Sequence, residues 1–138
     1  MSDDNLQIQS GFAMATLNLN ASVGLVVRQP ATTTVTDSFK VRLASAATQI
    51  PMGILYSATN AAGGDVGVAM DGSLVWAIAG AAFVSTTQKW VMSSPSGRVI
   101  PFTGLSTNYV VGRVLPQADA ASGDKIRILV NTDRISSN

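Results

Sequence analysis

Apolar and polar residues alternate along short stretches of this chain. Leu6-Gln-Ile8-Gln and Leu17-Asn-Leu19-Asn alternate strictly, with Phe12 and Met14 between them. Such alternation suits a strand with one wet and one dry face. Further strands are predicted at 24–28, 39–43, 52–56, 66–70, 74–78, 89–92, 98–100, 109–115 and 125–130, before a polar tail at 131–138. In Phe39-Lys-Val-Arg-Leu43 the residues Phe39, Val41 and Leu43 share one face. Residues 44–49 allow one helical turn, which Pro51 stops. Asp71-Gly72 predicts a tight hairpin turn, and Ser93-Ser-Pro-Ser-Gly97 another turn. Turn signals about 8–12 residues apart, with no long helix, predict an all-β fold. The expectation is a small β-barrel or sandwich of short antiparallel strands.

One stretch occurs twice. Gly53-Ile-Leu-Tyr-Ser-Ala58 and Gly64-Asp65-Val-Gly-Val-Ala-Met70 are echoed by Gly112-Arg-Val-Leu-Pro-Gln-Ala118 and Gly123-Asp124-Lys-Ile-Arg-Ile-Leu-Val130. The Asp follows the opening Gly by 12 residues in both copies. Gly supplies a positive φ and Asp bonds back to nearby N–H groups, so Gly-Asp between two β-forming runs reads as a turn. Residues 1–22 stand apart as an extended N-terminal arm, and 23–138 read as a single β-barrel domain. An isolated strand is unstable, so the arm must pair. It is either the first strand of the domain's own sheet or a strand added to another subunit's sheet by β-augmentation.

Composition narrows the chemistry. The 138 residues include no cysteine and no histidine, which removes disulfides, thiolate nucleophiles, His-based catalysis and the usual zinc ligands. All eight acids are Asp, and the nine Lys and Arg residues are scattered, so no basic stripe marks a nucleic-acid site. With 12% charged and 46% hydrophobic residues and a mean hydropathy of +0.29, the chain is apolar for a small monomer. Much of the excess is Ala, which fits either a compact Ala-rich β-domain or, the favoured expectation, faces buried by partner chains. Met-Ser-Asp-Asp-Asn opens the chain where a signal peptide would be basic and apolar, so a soluble protein is expected. The apolar run 74–84 is shorter than the ~20 residues that cross a bilayer, which argues against a membrane partner. It is β-prone and uncharged, so it belongs inside the barrel or in a subunit interface.

Catalytic patterns do not assemble. Asp37-Ser38 is followed by Phe39 where an aspartic-protease loop needs Gly, and no second copy exists. No phosphate-binding Gly-rich loop is present. Asp65, Asp71, Asp119 and Asp124 lack metal-loop spacing and read as turn formers. Trp76 and Trp90 suit either sugar stacking or interface anchoring. The expectation is a protein without enzyme activity, cofactor or metal.

The order of motifs resembles the capsid decoration (cement) proteins of tailed bacteriophages. The matching residues are Gly53-Ile-Leu55, Ala58, Gly64-Asp-Val-Gly-Val68, Gly72, Gly97-Arg-Val99, Gly112-Arg-Val-Leu115, Ala118 and Gly123-Asp-Lys-Ile-Arg-Ile-Leu-Val130, across about residues 50–131. Many relatives have a Gly-Asp at the middle turn where this chain has Thr87-Gln88. The resemblance implies a β-barrel on the outer surface of an expanded phage head, made in the host cytoplasm and assembled as a homotrimer. It implies binding to the major capsid protein through an N-terminal arm, here Leu6, Ile8, Phe12 and Met14. Candidates for the oligomer contact are Trp76, Phe83 and Trp90. The competing expectation is a carbohydrate- or receptor-binding β-module of a virion, which needs an aromatic in a groove with polar neighbours.

Overall fold

The computed structural model describes residues 10–15, 23–28, 40–58, 65–84, 89–117 and 119–132. Every regular element among them is a strand. In chain order these are β1 (Ser10–Ala15), β2 (Val26–Arg28), β3 (Lys40–Leu43), β4 (Gly53–Ala58) and β5 (Asp65–Ala69), then β6 (Leu74–Ile78), β7 (Trp90–Ser93), β8 (Val99–Pro101), β9 (Gly112–Val114) and β10 (Lys125–Val130). The first five close a barrel in the order β1-β3-β2-β4-β5, and the last five form a sheet in the order β6-β10-β9-β7-β8. The all-β barrel expected from the alternation is present. Its strand pairs are antiparallel except β1 with β3, which run parallel.

Two local features differ from the sequence reading, and a third matches one of the two alternatives it left open. Part of the segment expected as an arm, Ser10–Ala15, pairs within its own chain, antiparallel to β5 from Ser10 to Met14 and parallel to β3 at Met14 and Ala15. The rest of that segment, with Leu6 and Ile8, lies outside the described residues. Asp71-Gly72 makes a tight turn, with Ser73 N donating to Met70 O at 3.0 Å and Gly72 at φ 91°. It makes no hairpin, because β5 belongs to the barrel and β6 to the other sheet; the turn passes the chain between them. Residues 44–49 form a turn without a helix, and the Gln49 side chain accepts from Ser45 N at 2.8 Å in place of a helical carbonyl.

The two halves of the chain share one topology. Beyond β6, Ala79 bridges Val99 of β8 in parallel, and Gly80 N donates to Val99 O at 2.7 Å, curling the second sheet toward closure. Matching β1–β5 to β6–β10 in order reproduces each pairing, including the parallel one. The registers coincide residue by residue: Ala15 opposite Val41 corresponds to Ala79 opposite Val99, Val27 opposite Gly53 to Val91 opposite Gly112, and Ile54 opposite Ala69 to Arg113 opposite Leu129. Flanking hydrogen bonds repeat too. Met52 N to Val27 O at 2.8 Å is matched by Val111 N to Val91 O at 2.9 Å, and Ala44 N to Val26 O at 2.9 Å by Phe102 N to Trp90 O at 2.9 Å. The sequence echo is therefore the visible trace of a doubled five-stranded unit.

Period-two alternation sorts the side chains. Val27, Val41, Leu55, Val66 and Val68 fill the first barrel, and their counterparts Val91, Val99, Val114, Ile126 and Ile128 fill the second half. Outward residues of the first barrel, Val26, Ala44, Ile54 and Ala69, join the second half's core cluster, so the halves share one apolar junction. Asp71 fastens that junction by accepting both Thr132 N and Thr132 Oγ1 on Oδ1 at 2.7 Å.

The opening glycines of the echo have one physical cause. A Cβ on Gly53 would lie 2.1 Å from the backbone oxygen of Ala69, and one on Gly112 2.4 Å from that of Leu129. Backbone cannot retreat as a flexible side chain can. Gly53→Ala and Gly112→Ala should each destabilise by about 2–3 kcal/mol in urea unfolding, the scale of overpacking a closed site. Gly104→Ala, whose Cβ would meet nothing within 4 Å, should cost only the left-handed backbone strain of about 1 kcal/mol.

Candidate functional site

The outward face of the second sheet carries the aromatic and cationic side chains that the core excludes. On β6 the buried Val75 and Ala77 flank Trp76, which is 40% exposed. On β10 the buried Ile126 and Ile128 flank Arg127 in the same way. Trp76 and Arg127 are directly opposite in the ladder, and the guanidinium carbon stands 5.9 Å from the indole centroid, within cation–π range. Farther across the sheet the half-buried Trp90 lies opposite the exposed Arg113, which in turn lies opposite Leu129. Of the three residues expected at an oligomer contact, Trp76 and Trp90 thus reach this face. Phe83 does not: it is 3% exposed in the core, paired with Ala120 through hydrogen bonds of 2.8 and 3.0 Å.

Beside Trp76 a groove of about 430 Å³ is lined by Gln117, Asp119, Asp124, Lys125 and Arg127. Its walls are held by the fold. Gln117 Nε2 donates to Leu115 O at 3.0 Å and Arg127 O at 3.2 Å, and Gln117 Oε1 accepts from Arg127 N at 3.1 Å. The side-chain amide thereby continues the β10 ladder past the end of β9. Arg127 Nη2 donates to Pro116 O at 3.2 Å, which fixes the guanidinium beside the indole. Asp124 Oδ2 accepts from Ala121 N at 2.9 Å, the turn-forming role read from the sequence. Such a groove can stack a ring on Trp76 and offer both donors and acceptors at its edge. Among the described residues no group of three or more His, Cys, Asp or Glu could hold a metal ion.

Phe12 and Met14, expected on a capsid-binding arm, are backbone members of β1, opposite Gly67 and Asp65. Sequence reasoning missed Arg127 and Gln117. Arg127 was recoverable, since the alternation of Lys125-Ile-Arg-Ile-Leu puts it on the outer face. Gln117 had no local signal, because its partners at Arg127 are set by tertiary pairing.

No protein-family model and no curated protein matches the sequence. Among solved structures, the chain is similar to one described as "The crystal structure of head fiber gp8.5 N base in bacteriophage phi29". The TM-score is 0.63 at 16% sequence identity, over 94% of this chain and 98% of that one. The two share a fold. With so little identity, the likeness lies in the path of the backbone.

Gln117→Ala removes a ladder-extending amide: Arg127 N loses this acceptor, while Arg127 O keeps the bond from Leu115 N. Its urea midpoint should fall by an amount equivalent to about 1–2 kcal/mol. Trp76→Ala, on the solvent side of the sheet, should shift stability by no more than about 1 kcal/mol.

Proposed function

We propose that this chain is a structural protein of a phage virion. In this reading it binds the outer surface of an expanded head as a homotrimer and bridges major capsid protein subunits. The observation that carries the reading is the likeness to the head-fiber base over nearly the full length of both chains. The motif order shared with decoration proteins supports it independently, as does the apolar composition.

The mechanism is mechanical. Packed DNA pushes the shell outward, and a bridge between neighbouring subunits adds binding free energy that their separation must overcome. A specific interface buries about 1,600 Å², and many copies around a closed shell multiply modest affinities. Since Ser10–Ala15 is already a barrel strand, the segment that adds to the capsid's sheet is the one before it, with Leu6 and Ile8.

Purified protein should cosediment with undecorated, expanded phage heads and raise their thermal resistance. A chain lacking residues 1–9 should keep its melting temperature and bind heads at least about tenfold more weakly, a loss of about 1.4 kcal/mol. Failure of the full chain to pellet with heads would refute the capsid reading. Equal binding by the truncated chain would refute only the role of the arm.

The groove at Trp76 favours a second reading, a carbohydrate-binding module of a virion, since an exposed indole with polar neighbours is what that function needs. A glycan array should then show binding that Trp76→Ala abolishes; an array with no signal dismisses it.

A further inference from the structure

The ladder gathers cations that the sequence scatters. Residues 73–132 hold five Lys and Arg residues against two Asp, and three of the five stand together on the outward face of the second sheet. Lys125 and Arg127 are two positions apart on β10, so they share that face about 7 Å from one another. Arg113 on β9 is exposed and lies opposite Leu129, which makes it a diagonal neighbour of Arg127 at about 7–8 Å. The row leads into the groove beside Trp76.

What the fold leaves unused there defines a ligand. Gln117 uses both ends of its amide in the β10 ladder. Asp124 commits Oδ2 to Ala121 N at 2.9 Å. Arg127 donates once, from Nη2 to Pro116 O at 3.2 Å, and its remaining guanidinium donors meet no acceptor among the described residues. Nor does any ion pair among the described residues neutralise Arg113, Lys125 or Arg127. An exposed indole and a surplus of cationic donors remain.

The indole is a platform for the apolar face of a ring, and a guanidinium matches a carboxylate through paired N–H groups. The Arg127 guanidinium carbon stands 5.9 Å from the Trp76 centroid, so a ring resting on the indole brings its substituents to that guanidinium. The acidic edge of the groove separates sugars from nucleic acid. Asp119 and Asp124 line it, and carboxylates there accept from sugar hydroxyls. They repel a backbone that carries a charge on every nucleotide, and such a strand needs stacking platforms repeated along its path.

We infer that the Trp76 groove and the cations beside it bind an acidic glycan, its ring on the indole and its carboxylates on Arg127, Lys125 and Arg113. The inference rests on the carbohydrate-binding reading of this groove and names the charge that the ligand carries.

The test is a glycan array of sialylated, glucuronate and galacturonate oligosaccharides, each beside its carboxyl-reduced form, with single-stranded oligothymidine as a further probe. The wild-type chain should bind the acidic members at least about tenfold more tightly than the reduced ones. That difference should shrink as salt rises from about 0.05 to 0.5 M. Arg127→Gln should remove the preference for acid; if it fails to fold, Lys125→Gln, at an exposed position, should reduce that preference in its place. Trp76→Ala should lose acidic and reduced glycans alike. Equal binding of acidic and reduced forms would overturn the inference and leave the carbohydrate reading standing. So would an acid preference that survives Arg127→Gln, Lys125→Gln and Arg113→Gln. No binding to any glycan would overturn both. Tighter binding to oligothymidine than to the glycans would overturn the inference in favour of nucleic acid.

Discussion

Twice in this chain a backbone carbonyl passes over the first residue of a strand so closely that no side chain fits. Ala69 O crosses Gly53, and Leu129 O crosses Gly112. These crossings set how near β5 comes to β4 and β10 to β9. The ladders that depend on them, Ile54 with Ala69 and Arg113 with Leu129, hold the rest of each unit in register. Register in a sheet is all or nothing, because a slip of one residue exchanges every inward side chain for an outward one. A glycine at each crossing thus secures both the approach of two strands and the sorting of the core.

Inside, the two units have stayed alike. Val27 and Val91, Val41 and Val99, and Val66 and Ile126 are pairs of β-branched residues that differ by a methylene at most, as close packing demands. Outside, they have diverged where the fold permits. The first unit keeps Val26, Ile54 and Ala69 small and apolar because the second unit covers them. The second presents Trp90, Arg113 and Leu129, and places the Trp76–Arg127 pair beside a polar groove. Interaction chemistry has accumulated on the unit whose outer face is free of the other.

Much of this was legible in the sequence, and the limits have physical causes. Strand positions followed from alternation, and the echo around Gly53 and Gly112 marked corresponding strand pairs. What alternation does not encode is which strand a given run pairs with. Asp71-Gly72 has the residues of a hairpin turn yet links two sheets, since its neighbours β5 and β6 pair with β1 at Phe12 and β10 at Arg127 rather than with each other. Phe83 looked like an interface residue because its run is apolar throughout; its burial depends on Ala120, thirty-seven positions away. Leu6 and Ile8 fall outside the described residues, while Phe12 and Met14 belong to a strand whose partners are non-local. The Trp76 groove was half legible: the aromatic was visible, and the amide and guanidinium fixed beside it were products of the ladder.

The proposed place on a phage head would put to use the doubled five-stranded unit and its outward aromatic and cationic face. Cryo-electron microscopy of expanded heads incubated with the purified chain tests that placement most directly. The proposed function predicts density on the outer surface, in groups of three chains that bridge neighbouring capsid subunits. Bare heads, or density confined to single capsid subunits, would contradict it.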